Sequence, residues 1–454
     1  MGRKKGGKKD GNEGGSESDK HEQYTKRRES NAMPMKPSGN SSSDKSDSPA
    51  PPGFFDNFTI LLVGVSMRLA LFLSPSWQRW CAERPELNTP FTSWTRVRDG
   101  VALDSLTGSA YSGDRVHVTP LMMLGARFVV QFSDWHIFCG FVAMDVVNAF
   151  LLCRAAHRFL VKDSSCSAKD ATSRVYKWYL LNPVTAASCA ALSLSSFYAF
   201  LCCIFIATLF AGRWLLCVGL LSLWTQFTLF PITLIAPVIT NLPRVRFLAV
   251  SMFAVLLGIF TATNYVLNGG NWDFIKHTYW FAVTVADQTP NVGLYWYFFV
   301  EIFVHFYDFF IILFQLHALV YIVPFAITLR KCPHLHLLVS LALLAVLVPY
   351  PTLTDAAIPL ALLPIIQEKY LRSMRFPLVM GCTFCVCIVL MPVMWYLWLV
   401  SGSGNANFFF GVTLFYNAAI IHALVDIIYA YKRVTLEEKC PADVPNQKTL
   451  IRFD

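Results

Sequence analysis

Charge is what this sequence has least of. Only 15% of its 454 residues are charged, against about 25% in an ordinary soluble domain. Residues 1–50 hold 11 of the 38 basic and 8 of the 29 acidic side chains, which leaves 27 and 21 for positions 51–454. With 55% hydrophobic residues and a mean hydropathy of +0.46, this remainder excludes a soluble globular protein. It predicts an all-α, polytopic bundle of transmembrane helices, with room for about ten to twelve spans of about 20 residues.

Residues 1–52 lack the apolar side chains that a core requires. Gly, Ser, Lys, Asp and Glu dominate, so we expect a disordered, charged tail on the cytosolic side. The pairs Lys4-Lys5 and Lys8-Lys9 are a weak signal for nucleic-acid binding, and we predict no nucleic-acid partner. Because this polar tail precedes the first apolar run, Phe58–Leu73, that run is expected to act as an uncleaved anchor.

The positions of Lys and Arg predict the topology of the remaining chain. Basic clusters mark the segments expected in the cytosol: 154–177, 244–246, 330–331, 369–375 and 432–433. The membrane domain is predicted to cover 53–435, and a cytosolic tail is predicted at 436–454. Segments poor in basic residues are expected in the lumen: loops 74–118 and 268–293 and the turn 401–407.

Two regions do not fit a simple series of upright spans. The apolar runs Leu121–Phe132 and Trp135–Cys153 lie where the charge pattern requires an odd number of crossings, so one of them is expected to be re-entrant or half-spanning. Residues 294–328 would form about 52 Å of helix, which is too long for one upright span. We therefore predict a broken or steeply tilted helix that ends near Pro324.

Polar residues inside apolar runs are expensive in lipid and need partners. Asp145 and Asn148 lie at helical spacing and are predicted to form hydrogen bonds between helices. Arg68, in the first apolar run, is predicted to reach an interface or to pair with such an acid.

The cysteines give no signal for catalysis or metal binding. Most of the 13 lie in apolar runs, and the Cys382–Cys385 pair has no second ligand pair, so neither a metal nor a cofactor is predicted. His117, His277 and His305 are scattered, and no segment resembles a cysteine-protease site.

One polar stretch is the strongest internal signal for a site. It contains Asp287, Asn291, Trp296, Glu301 and His305. We interpret these residues as a face that lines a lipid cavity or contacts a partner, because ionisable groups at membrane depth indicate function by default. Glu301, His305 and Asp308, at i, i+4 and i+7, would share one helix face. An interfacial aromatic belt, or a Glu301–His305 ion pair turned into the bundle, are the alternatives.

The segment after the first span and two later motifs resemble the GPI mannosyltransferases of the GT-C class. The motifs are Leu181-Asn-Pro-Val-Thr185 and Phe230-Pro-Ile-Thr233. Such enzymes carry an Asp-x-Asp pair in the first lumenal loop, where a carboxylate activates the acceptor hydroxyl. The matching place here, Thr89–Thr92, has no carboxylate. Glu83 and Glu86 lie upstream, beside Arg84, and are interpreted as part of a solvated loop.

A second resemblance covers roughly residues 56–435. Six motifs carry it: Phe91-Thr-Ser-Trp94, Ser109-Ala-Tyr-Ser-Gly113, Asp287-Gln-Thr-Pro-Asn-Val-Gly-Leu-Tyr-Trp-Tyr-Phe-Phe299, Glu301-Ile-Phe-Val-His-Phe306, Tyr350-Pro-Thr352 and Gly402-Ser-Gly-Asn-Ala-Asn-Phe-Phe409. They resemble the PIG-U family, the multispanning subunit of the GPI transamidase of the endoplasmic reticulum membrane. The resemblance implies a non-catalytic, multi-pass subunit with two kinds of partner: the other transamidase subunits, including the caspase-like catalytic one, and the GPI glycolipid.

The resemblance also implies where the glycolipid binds. Asn405 and Asn407 belong to the GPI-contacting motif of the family, and Phe408 follows them directly. Read from the residues alone, the same asparagines could instead cap the next helix. Two other functions stay open: an active lipid-linked sugar transferase of GPI synthesis, and a pure assembly scaffold that never touches lipid.

Overall fold

The structure is a computed structural model that describes residues 54–162 and 168–439. The predicted tail at 1–52, and the predicted tail at 436–454 apart from its first four residues, lie outside the described residues.

Residues 54–162 and 168–439 form helices and no strand. The α-helices are α1 (Phe54–Leu73), α2 (Pro75–Ala82), α3 (Trp94–Thr107), α4 (Pro120–Val129), α5 (Asp134–Lys162), α6 (Ala168–Leu180), α7 (Pro183–Ala190), α8 (Ser195–Phe210), α9 (Trp214–Thr228), α10 (Ile235–Asn241), α11 (Arg246–Leu267), α12 (Asp273–Ile275), α13 (Phe281–Thr284), α14 (Tyr295–Glu301), α15 (Tyr307–Val320), α16 (Ile322–Thr328), α17 (Pro333–Leu347), α18 (Ala357–Leu362), α19 (Glu368–Arg372), α20 (Pro377–Leu399) and α21 (Ala406–Lys439). Shorter 3₁₀ or π turns join some of them: Phe230–Leu234, Lys276–Trp280, Val304–Phe306, Leu353–Ala356 and Leu363–Ile365.

Several helices are long and apolar enough to cross a membrane. Five pass by length and composition: Asp134–Leu160, Arg246–Leu267, Val304–Thr328, Pro377–Leu399 and Ala406–Lys439. The pair α1–α2 makes a sixth if it is counted as one bent span, and six shorter apolar helices accompany them. The predicted all-α polytopic class is confirmed, while the number of ten to twelve spans stays a prediction. Helix α4 has 10 residues, or about 15 Å, which is about half of the hydrocarbon thickness and suits the expected half-span.

The first two helices meet at a sharp bend. Pro75 stands at the first position of α2, where its missing N–H costs nothing, and α2 is turned by 91° from α1. If α1 crosses the bilayer, α2 runs along its surface. Trp77 and Trp80, on α2, are 55% and 39% exposed, as is typical of aromatic residues at a membrane interface.

The predicted pairing of Arg68 is confirmed. Its Nε donates to Asp145 Oδ2 at 2.9 Å, and both side chains are fully buried between α1 and α5. The other guanidinium nitrogens donate to three more oxygens: Gly64 O (2.9 Å), Leu180 O (2.8 Å) and Thr185 Oγ1 (3.0 Å). A buried cation with this many acceptors fixes α1 against α5, α6 and α7.

The predicted interhelical hydrogen bonds of Asp145 and Asn148 are also confirmed. The Tyr179 hydroxyl, on α6, donates to Asp145 Oδ1 at 3.3 Å and accepts from Asn148 Nδ2 at 3.0 Å. All three groups are inaccessible to solvent, so the bonds replace contacts that water would otherwise make.

The predicted break in 294–328 is confirmed, and it lies after Glu301. Ile302 and Phe303 are extended, with ψ of 146° and 137°, before a 3₁₀ turn leads into α15. The helix continues to Thr328, beyond the expected end at Pro324. The start of α15 is fixed by Tyr307, whose hydroxyl donates to Thr284 O and Val285 O at the end of α13.

The expectation that Glu301, His305 and Asp308 share one helix face is wrong. The two extended residues interrupt the helical rotation of 100° per residue, so the i, i+4, i+7 spacing no longer places the side chains together. All three side chains are exposed on the isolated chain, so Glu301 and His305 do not form an ion pair inside the bundle.

The last two long helices form a hairpin through residues 400–405. Asp426, on α21, is nearly buried and accepts hydrogen bonds from the backbone N–H groups of Arg375 (2.9 Å) and Phe376 (3.0 Å) at the start of α20. A carboxylate at a helix N-terminus satisfies free donors and stabilises the helix dipole. This contact fixes the end of the hairpin opposite to the 401–407 turn.

Candidate functional site

The structure brings two of the sequence-predicted segments into contact. Tyr297, on α14, donates a hydrogen bond from its hydroxyl to Asn407 Oδ1, in the first turn of α21. Its ring stacks on Phe410 with 4.3 Å between centroids and 16° between planes. The polar stretch and the Asn405–Phe408 motif, which are about 110 residues apart in sequence, therefore form one site.

An aromatic cluster underlies this contact. It consists of six residues from α14, α20 and α21: Trp296, Tyr297, Trp395, Trp398, Phe409 and Phe410. Trp296 lies 5.9–6.4 Å from the Trp398, Phe409 and Phe410 rings, and Trp395 lies 5.3 Å from Phe409. Trp296 and Phe409 are buried, whereas Phe408 is 58% exposed. The cluster holds the Asn405–Phe408 turn in place and leaves its outer side accessible.

Asn405 caps α21, as the alternative interpretation of the motif predicted. Its Oδ1 accepts the backbone N–H of Asn407 at 3.1 Å. This bond occupies only the oxygen, and the Asn405 amide nitrogen has no partner among residues 54–162 and 168–439. Asn405 and Asn407 are both exposed, so capping leaves N–H donors of both amides available to a ligand.

Asp287 and Asn291 have structural contacts within the loops. The Asp287 carboxylate binds Arg96 at 3.2 Å, and its backbone N–H donates to the Tyr350 hydroxyl at 3.0 Å. Asn291, which is buried, accepts from Gly293 N at 2.7 Å and closes a local turn. These bonds tie the predicted lumenal loops to each other and to the 350 turn, and none of them reaches Asn405 or Asn407.

Glu301 lies at the edge of the site, and His305 lies beyond it. Glu301 is exposed and lies one helical turn after Tyr297, so it is on the same face of α14 as the hydroxyl that binds Asn407. His305 follows the break, is exposed, and contacts Phe306 with 4.1 Å between ring centroids. The candidate face of five residues is thus divided: Trp296 belongs to the aromatic cluster, Glu301 shares a helix face with Tyr297, and the other three lie outside the cluster.

Residues 84–86 are a part of the site that the sequence interpretation missed. The expectation of a solvated loop is wrong for Glu86, which is 3% exposed, and for Arg84, which is 9% exposed. The Arg84 guanidinium carbon lies 5.1 Å from the Trp80 ring centroid and 5.4 Å from that of Trp395, a member of the aromatic cluster. In the sequence, only the spacing of four residues between Trp80 and Arg84, about one helical turn, indicated this contact.

Several buried polar atoms around the cluster have no hydrogen-bond partner in the described part of the chain. They are Arg84 Nε, both Glu86 carboxylate oxygens, Trp296 Nε1, Tyr416 OH and Asn417 Oδ1. Burial raises the pKa of Glu86 to about 7 and lowers the pKa of Arg84. Buried polar groups are nearly always paired with protein, water or a ligand, so these atoms are candidates for contacts with a bound molecule.

The position that would hold a transferase's catalytic acid contains a small cavity. Thr89 and Thr92 bind each other there, with 3.1 Å between their hydroxyl oxygens. The cavity next to Thr92 measures about 110 Å³, and its one carboxylate, Asp355, accepts hydrogen bonds from Thr352 N (2.7 Å) and Thr352 Oγ1 (3.0 Å). The described residues contain no group of three His, Cys, Asp or Glu that could hold a metal ion.

A larger apolar groove of about 370 Å³ lies between α17, α20 and α21. Phe384 and Ile420 line it. Phe384 stacks on Tyr416 with 5.2 Å between ring centroids, and both belong to the packed core that also contains Trp296 and Phe409. The groove is therefore connected to the aromatic cluster through the core between α20 and α21.

Comparison with known proteins places the chain among GPI transamidase components. The family model described as "GPI transamidase subunit PIG-U" matches residues 62–416. The chain is 33% identical to the GPI-anchor transamidase components PIGU of Homo sapiens and Cricetulus griseus, over 82% of this chain and 93% of each relative. It is 30% identical to the GPI transamidase component GAB1 of Saccharomyces cerevisiae, over 83% of this chain and 95% of that protein.

Proposed function

The chain belongs to the PIG-U family of GPI transamidase subunits, and from this premise we propose that it holds the GPI glycolipid for attachment to precursor proteins. It does so as a non-catalytic subunit in the membrane of the endoplasmic reticulum. The nucleophile that cleaves the precursor resides in a separate caspase-like subunit.

One observation carries the proposal: the hydrogen bond of Tyr297 to Asn407 inside an aromatic cluster that opens at Asn405 and Phe408. A glycolipid needs hydrogen-bond donors for its sugars and phosphates next to apolar surface for its lipid part. Exposed amides beside aromatic rings provide both, since aromatic residues offer a large apolar face with a polar edge. Asn405 and Asn407 are accordingly the proposed head-group contacts, and Phe408 the proposed lipid contact.

The environment of Thr89–Thr92 supports a non-catalytic role. A cavity of about 110 Å³ is smaller than the roughly 300–1,000 Å³ that is typical of small-molecule sites. Asp355, the carboxylate at this cavity, is already engaged by Thr352 in the cap of a 3₁₀ turn. These two features favour a lipid binder over the alternative of an active mannosyltransferase.

The proposal can be separated from a pure scaffold by replacing the two asparagines. Asn405→Ala/Asn407→Ala should lower attachment of GPI to a reporter protein about thirtyfold, because the two lost hydrogen bonds contribute on the order of 1 kcal/mol each. Co-purification of the other subunits should stay unchanged. Asn271→Ala, an exposed amide in the predicted lumenal loop 268–293, is the matched control and should behave as the unchanged chain.

Unimpaired attachment in the double variant would contradict glycolipid binding at this turn and favour a scaffold. Depletion of the chain from cells tests the transferase alternative. Accumulation of complete GPI that bears ethanolamine phosphate supports a block at attachment, whereas a glycolipid truncated at one mannose would overturn the non-catalytic role.

A further inference from the structure

Arg84 has an environment that is unusual for a buried cation. The side chain is 9% exposed, yet its Nε has no hydrogen-bond partner and no acid forms an ion pair with it among the residues that the structure describes. Its guanidinium lies over the faces of Trp80 and Trp395, and the neighbouring acids Glu83 and Glu86 act on it electrostatically without forming an ion pair. Aromatic faces attract a guanidinium, but they leave the N–H donors, which point outward in the plane of the guanidinium, free to bind an acceptor.

The neighbours of Arg84 indicate how deep its side chain lies in the membrane. It follows α2 by two residues, and α2 is turned by 91° from the first span, with Trp77 and Trp80 exposed. Trp395 lies in the last two turns of α20, next to the 401–407 turn. Both flanking rings therefore mark the membrane surface, which is the level at which lipid phosphates lie.

Arg84 also belongs to the candidate site by direct contact. Trp395 lies 5.3 Å from Phe409, Phe409 lies 6.1 Å from Trp296, and Tyr297 binds Asn407. The guanidinium and the Asn407 amide are thus on one continuous set of packed rings. The site combines an unpaired cation with neutral amides, and this combination fits a ligand that carries an anion and hydroxyl groups.

We propose that the Arg84 guanidinium binds the phosphodiester that joins the lipid to the glycan. This inference rests on the proposed function, which supplies a glycolipid with such a phosphate. A planar guanidinium binds two phosphate oxygens at once, and the stacked tryptophans hold its plane in a fixed orientation. Arg84 sets the phosphate at the membrane surface, and Asn405 and Asn407 contact the head group beyond it.

The first test measures the lipid affinity of the purified transamidase complex. Fluorescent phosphatidylinositol and diacylglycerol, each in detergent micelles, are the probes, because they differ in the phosphodiester and its head group. Arg84→Gln should weaken phosphatidylinositol binding tenfold or more and leave diacylglycerol binding unchanged. Arg84→Lys, which keeps the charge but loses the fork, should show a smaller loss. Arg79→Gln, an exposed arginine of α2, is the matched control and should stay within twofold of the unchanged complex.

Equal phosphatidylinositol affinity of Arg84→Gln and the unchanged complex would overturn the proposal. An equal loss for both lipids would overturn it as well, because the role of Arg84 would then be structural. Displacement of phosphatidylinositol by an equal concentration of inorganic phosphate would overturn the assignment to a lipid.

A second measurement distinguishes this inference from the proposed function. Glycolipid that co-purifies with the complex is extracted and quantified by mass spectrometry for Arg84→Gln and for Asn407→Ala. Loss in both variants supports both proposals. Loss in Asn407→Ala alone contradicts the phosphate site and leaves the proposed function standing. Loss in Arg84→Gln alone supports the phosphate site and contradicts the role of Asn407. Retention in both contradicts both.

Discussion

Two arginines are buried in the part of the chain that the structure describes, and their surroundings are opposite in kind. Arg68 is fully buried between helices and meets four oxygens, one of them from Asp145 at 2.9 Å. Arg84 is 9% exposed and meets two tryptophan faces and no acid in the described ranges. The free energy of removing a cation from water is recovered within the chain at Arg68 but not at Arg84.

The difference indicates which polar groups stabilise the fold and which serve a ligand. A group whose hydrogen bonds are all made inside the chain has nothing left to offer a ligand. A group that is buried without partners lowers the stability of the free protein, and a ligand that supplies the partners recovers that cost. The Arg68–Asp145 ion pair is of the first kind, and Arg84 is of the second.

The largest effect is expected at Arg68. Arg68→Leu leaves the Asp145 carboxylate buried without its cation and should lower the free energy of unfolding by about 3–5 kcal/mol. In cells this amounts to loss of most of the protein, which fluorescence-detected size-exclusion chromatography of a tagged chain would measure. Arg68→Leu/Asp145→Leu removes both charges and should recover part of the yield.

Wild-type yield for Arg68→Leu would contradict the structural role of this pair. Arg84→Gln belongs in the same experiment, because the comparison predicts that it changes lipid binding and not yield. A loss of yield as large as that of Arg68→Leu would remove the distinction between the two arginines.

The second prediction concerns Glu86 and pH. Burial raises the pKa of this carboxyl from 4.5 to about 7, so between these values the folded chain holds a proton that the unfolded chain has lost. The stability contributed by this group therefore falls as the pH rises from about 4.5 to about 7 and stays low above that. Glu86→Gln carries no titrating group and should be more stable than the unchanged chain at pH 8, by up to about 3 kcal/mol.

Thermal unfolding in detergent at pH 5 and pH 8 measures this effect. Glu83→Gln is the matched control, since Glu83 is exposed three residues earlier and should leave the pH dependence as it is. If Glu86→Gln retains the same fall in melting temperature between the two pH values, the carboxyl is not buried in the protonated form.

The sequence predicted the surroundings of Arg68 better than the surroundings of Arg84. Asp145, Asn148 and Arg68 stand out as polar residues in apolar runs, and their need for one another follows from the cost of burial. A broken or steeply tilted helix within 294–328 was predicted from length alone, whereas the position of the break after Glu301 was not predicted. The length of an apolar run and a polar residue within it are local properties, and therefore a sequence shows them.

The aromatic cluster could be predicted only in part. The Asn405–Phe408 motif and Trp296 were identified, but their contact depends on how α14 packs on α21, which no local pattern encodes. Arg84 and Glu86 were misread, because charged residues next to a proline usually lie in water. Their burial results from the packing of residues 81–87 against Trp395 and Leu353, which are far apart in sequence.

The smallest effect on the isolated chain is expected at His305, and this position tests the exposed side of the molecule. His305→Leu should change the free energy of unfolding by less than about 0.5 kcal/mol, because the side chain is exposed and packs only on neighbouring Phe rings. Tyr307→Phe should cost about 1 kcal/mol, because the hydroxyl binds Thr284 O and Val285 O. Melting temperatures of the purified chain check the order, which a larger loss in His305→Leu would contradict. If His305→Leu keeps its melting temperature but co-purifies with less of the other subunits, the exposed polar residues after the break contact a partner subunit.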